Sequence, residues 1–115
     1  MYLLIQRLED VADRLFLLST QVLASANKQG FKLSKVTVKL CGELTPMVEV
    51  LHDLYYTHDN EKDEKILNMR YDMMKKGESI VNGSSREEVR VIDSILEVAR
   101  AIYHCTTPMH GLRNE

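Results

Sequence analysis

A glutamate and a histidine three residues apart, in Glu49-Val50-Leu51-His52, are the nearest this chain comes to a metal-binding signature. On a helix the two side chains share a face, and di-iron bundles use two such pairs plus two further glutamates. Only one pair is present. Glu9, Asp10 or Asp13 early in the chain and Glu88 or Glu97 late in it could add carboxylates, yet no second histidine stands at the matching offset. A solvated Glu and His on an outer helix face is the plainer reading, so no metal and no cofactor is expected. Set beside Arg70 and Tyr71, the same Glu49 and His52 could line a polar pocket between a second and a third helix. That is the alternative function: a small-ligand or metal-binding bundle that could also be catalytic.

Three other groups of residues carry chemistry. Met69, Met73 and Met74 stand with Arg70 and Gly77. Methionine adapts to irregular surfaces, glycine lets a backbone approach, and an arginine at a seam position wants an anion. Together they could form a groove for a partner helix; the bland reading is an edge helix with methionines filling gaps. His52, Tyr55, Tyr56 and His58 gather further up the chain. Two adjacent tyrosines cannot both face inward, and an exposed one makes a good interface anchor. Lys28, Lys32, Lys35 and Lys39 are spaced four, three and four, with no acid between Asp13 and Glu43. They could meet an anionic partner, but without arginine or a base-stacking aromatic among them a solvated face is the simpler account.

Composition removes several classes. The chain has 115 residues, 44% hydrophobic and 28% charged, with a net charge of -2 and no tryptophan. That bounds one domain with an aliphatic core and gives no global pull toward nucleic acid or membrane. The opening apolar run meets Gln6, Arg7 and Glu9 too soon for a signal-peptide core or a membrane span. Cys41 and Cys105 lack metal-type spacing, and a secreted chain of this size more often carries a disulfide framework, so a cytoplasmic setting is expected. No glycine-rich phosphate loop, Cys-x-x-Cys, His-Glu-x-x-His or nucleophile elbow occurs, which argues against an enzyme.

The elements that would hold these residues are helices. Leu4, Leu8, Val11, Leu15, Leu18 and Val22 alternate in steps of four and three, with Ile5, Ala12 and Ser19 beside them. This broad apolar face predicts a helix over about 2–28, closed at Gly30, that recruits the other elements. Residues 31–40 alternate like a strand, or begin a helix at Ser34; with no second strand to pair inside the chain, the helix is preferred over a strand pairing across a dimer. One helix over 34–57, kinked near Pro46, is expected, since the apolar face stays in step across the proline. A third helix follows Asp59 and has the thinnest apolar face. A capping box at Ser85-Arg86-Glu87-Glu88 opens the fourth, which runs to about Cys105.

The fold expected is therefore all-α, a four-helix up-down-up-down bundle over 1–105 with a flexible tail over 106–115. The function expected is a non-enzymatic protein-interaction or adaptor module, its partner another protein or a second copy of itself. The residues expected to meet that partner are Tyr55, Tyr56, Met69, Arg70, Met73 and Gly77.

Overall fold

Capping chemistry decides where the helices begin. Ser34, Asp59 and Ser85 each sit in extended backbone and accept a hydrogen bond from the N–H three residues on, at Thr37, Lys62 and Glu88. Each satisfies one amide that the helix itself cannot. The computed structural model describes residues 2–26, 32–57 and 59–109. Within them lie five helices: α1 (Tyr2–Ala26), α2 (Lys35–Gly42), α3 (Leu44–Tyr56), α4 (Asn60–Val81) and α5 (Arg86–His104). No strand occurs among the described residues, so the ambiguous stretch is helical from Lys35. The expected helix end at Gly30 lies outside the described residues.

The single helix expected over 34–57 is divided at Glu43 into α2 and α3. Pro46 is the physical reason. Inside a continuous helix its ring would clash with the Gly42 carbonyl, whereas in the first turn of α3 its missing N–H costs nothing. Pro108 is treated the same way. Residues 106–109 form a further helical turn, and Thr106 and Met109 are buried. Packed structure thus continues past Cys105 to Met109 at the start of the tail expected over 106–115; residues 110–115 lie outside the described residues.

The core is centred on α5. Eight of its residues are buried, among them Ile92, Ile95, Val98 and Ile102 at 0% exposure. Around α5 pack α1, α4, α3 and α2. Leu40, Met47, Leu54, Ile66 and Met73 meet it from the surrounding helices. The sequence pattern assigns this central role to the first helix. The structure gives α1 one buried line, Leu4, Val11, Leu18 and Ser25, seven residues apart, and sets it extensively against α5 alone among the described helices. A molecule 53 Å long and 24 Å across results.

Candidate interaction surface

Side-chain placement follows from that arrangement. Met73 is 1% exposed, and Gly77 is buried at the α4–α5 contact, where an added Cβ would lie 2.9 Å from Leu96 Cδ1. The glycine therefore serves the close approach of these two helices, and both residues are used inside the chain. Met69 is half-buried and packs on the core. Arg70 turns toward α5, its guanidinium 5.0 Å over the Tyr103 ring. There it borders a cavity of ≈ 510 Å³ with Met74, Asp93, Glu97, Arg100 and His104. Neither Glu49, His52 nor Tyr71 borders that cavity; all three are exposed, and His52 Nδ1 lies 3.8 Å from the Asp53 carboxylate. No group of three or more His, Cys, Asp or Glu with metal-binding geometry occurs among the described residues.

Tyr55 and Tyr56 are both exposed and stack edge to face, with ring centroids 5.1 Å apart. His52 joins them, 5.0 Å from the Tyr56 ring, whereas His58 lies outside the described residues. Lys32, Lys35 and Lys39 are exposed, and Lys28 lies outside the described residues. Lys35 and Lys39 share a face of α2; Lys32 precedes the helix. Lys39 lies beside Glu43, which pairs with Lys76 of α4, so acid intrudes on the basic stripe.

Two features escaped the sequence. The first is a buried carboxylate. Glu88 opens α5 through its N–H to Ser85 Oγ, but its side chain crosses to α2. There it accepts from the Ser34 N–H (3.1 Å), the Ser34 hydroxyl and the hydroxyl of fully buried Thr37. Burial pushes its pKa up, and the hydrogen bonds from Ser34 and Thr37 outweigh that and hold it below the usual carboxylate value. One acid thus ties the start of α2 to the start of α5. Ser34 and the capping box were each readable as helix starts; their joining is tertiary.

The second feature is a greasy helix flank. On α1, Ile5, Leu8, Leu15, Phe16 and Leu23 are 47%, 45%, 41%, 71% and 66% exposed. With Ala12 and Ser19 they form a stripe stepping in threes and fours down one side of the helix. The other flank is mixed: Leu3 and Leu17 are exposed there, and Asp10, Arg14 and Gln21 border grooves shared with Arg90, Glu97 and Arg100 of α5. His104 closes the far end of that side. Burial and the guanidinium charges of Arg100, Arg70 and Arg7 hold its imidazole below the usual range, so it accepts from Arg100 Nε (3.4 Å).

Fold and surface define a class: among the described residues, an all-helical fold whose edge helix, docked on α5 along one line, leaves an apolar flank exposed. Comparison with protein-family models, curated proteins and solved structures gives no match to this chain. No helix among the described residues is long and apolar enough to cross a membrane.

Proposed function

We propose that the chain is a non-enzymatic protein-interaction module whose principal docking surface is the open flank of α1. The observation that carries the reading is the coverage of α1: among the described helices it packs extensively on α5 alone, and Ile5, Leu8, Leu15, Phe16 and Leu23 stay 41–71% exposed. A monomer rarely presents a continuous apolar stripe of this length without a use for it. Tyr55 and Tyr56 are a second docking point, rigid and amphipathic. The reading keeps the protein partner and moves its seat from the Met69–Gly77 face of α4 to α1. The short connections support helices running alternately up and down, with α2 and α3 acting as one arm bent near Pro46.

The test is the stability of the double variant Leu8→Gln, Leu15→Gln. A flank kept for docking tolerates it, and at a concentration low enough to leave the chain monomeric the Tm stays within a few degrees. A cooperative loss of the fold would place these leucines in the core and overturn the reading. The rival, a small-ligand bundle around Glu49, His52, Arg70 and Tyr71, predicts a marked rise in Tm with one nucleotide or divalent ion. An interaction module predicts none.

A further inference from the structure

We propose that the occupant of the α1 flank is a second copy of this chain, the two α1 helices lying antiparallel about a two-fold axis near Ala12 and Leu15. The inference rests on the interaction reading above and names its partner.

Four observations carry it. The first is size. Taking a fully open side chain of this kind as roughly 200 Å², the five exposed residues offer on the order of 500 Å² of apolar surface per chain. A specific interface of standard size buries about 800 Å² per partner; at the roughly two-thirds apolar share of a homodimer that is the same amount, and it places the pair at the small end of homodimers.

The second is shape. Numbered as a heptad seam, Ile5, Ala12 and Ser19 of the stripe alternate with Leu8, Leu15 and, at its edge, half-buried Val22, which also packs on the core. Antiparallel pairing sets Ala12 against Leu15 of the other copy, Ser19 against Leu8, and Ile5 against Val22. Small faces large in the two inner layers. A parallel pair would set Ala12 on Ala12 and Ser19 on Ser19, leaving voids, and leucine on leucine between them.

The third is charge. The charged side chains of α1, from Arg7 to Arg14, all lie in its first half, and residues 15–26 carry none. Antiparallel pairing lays the charged half of one helix on the uncharged half of the other, so Glu9 does not meet Glu9. It also aligns the two helix dipoles favourably.

The fourth is polar satisfaction. Ser19, the one hydroxyl in the seam, already donates to the Leu15 carbonyl at 3.0 Å. Covering it strands no donor.

The experiment is sedimentation equilibrium of the whole chain over a wide concentration range, with Leu15→Glu and, on the other flank, Leu17→Glu. Leu17 is 49% exposed, so its variant controls for any exposed leucine. Expected is a dimer of the 13.3 kDa chain whose dissociation constant rises by roughly tenfold or more with Leu15→Glu and under twofold with Leu17→Glu. In a Cys41→Ser background, Ala12→Cys and Leu15→Cys chains mixed together should oxidise chiefly to the mixed 12–15 cross-link. Prevalence of the 12–12 product overturns the antiparallel arrangement, and a dimer indifferent to Leu15→Glu overturns the proposal. So does a chain that stays monomeric at millimolar concentration, and there an apolar fluorescent dye separates the two readings. Dye bound by the monomer and lost in Leu8→Gln, Leu15→Gln sinks only self-pairing and leaves α1 to another protein. A monomer that binds no dye sinks both.

Discussion

Glu88 shows how a single acid can hold two helix starts at once. Burial raises the pKa of its carboxylate, and Ser34 and Thr37, donating to the charged form, more than offset that and bring it down. A group lowered on folding contributes stability above its unfolded pKa and loses it as pH falls through the folded one. The ordinary value for such a carboxyl is 4.5, so this stabilisation is complete at neutral pH and is lost below that value. Glu88→Gln should cost about 1–3 kcal/mol at pH 7 and flatten the acid limb of the stability curve below pH 4.5, read by urea melts across pH. An unchanged acid limb would deny Glu88 the role. His104 is lowered as well, from 6.5, by burial and by Arg100, Arg70 and Arg7. The unfolded chain therefore takes up that proton first, and His104→Gln should remove stability loss in the window just below pH 6.5. At Gly77 the sign depends on Leu96. Alanine gains about 1 kcal/mol of helix propensity, which offsets the push on the end of a flexible, half-buried side chain 2.9 Å away. Gly77→Ala should fall within about 1 kcal/mol of neutral, and Gly77→Leu should destabilise by about 1–3 kcal/mol through overpacking, both by chemical melts.

At the scale of elements, the sequence carries helix positions well and their partnerships poorly. Ser34, Asp59 and Ser85 each announce a start through local chemistry, and each is a cap in the structure. Pro46 announces an interruption, and Glu43 is where it falls. The first helix is where pattern and packing part. Its apolar arc contains two parallel lines, and periodicity reports the width of an arc without saying which line is covered. Leu4, Val11 and Leu18 are buried against α5; Leu8 and Leu15, equally apolar and one turn away, stay 45% and 41% exposed. In α5 the division is sharper, with Val91, Ile92, Ile95 and Val98 inward and Arg90, Asp93 and Arg100 outward. The site residues Met73 and Gly77 belong to a thin face whose apparent gap is filled by Leu96 from another helix, which no local pattern encodes. The consequence is measurable. Ile92→Ala should cost about 2–5 kcal/mol, as a cavity in a closed core, whereas Leu15→Ala should cost under about 1 kcal/mol in the monomer. Equal losses in chemical melts would restore α1 to the centre.

The whole molecule is longer than its residue count requires. Its radius of gyration is 15.3 Å, where a chain of about 100 residues commonly has about 13 Å. The extra length goes with a 25-residue helix that, among the described helices, docks extensively on one neighbour. Opening such a helix uncovers less packed surface than freeing α5, which α1, α2, α3 and α4 all surround. Local opening free energies follow the apolar surface that the opening exposes to water, so α1 should detach as a unit below the global unfolding free energy. Native-state hydrogen exchange on Leu15→Glu, chosen to keep the chain monomeric, should show α1 amides exchanging through a sub-global opening, while those of α5 near Ile95 and Val98 exchange only on complete unfolding. In the unsubstituted chain at high concentration, covering the flank adds the dimer's binding energy to α1 and should narrow the difference. Matching protection of α1 and α5 in the monomer would show that α1 is locked into the core by its single line, and its open flank would then be a passive surface.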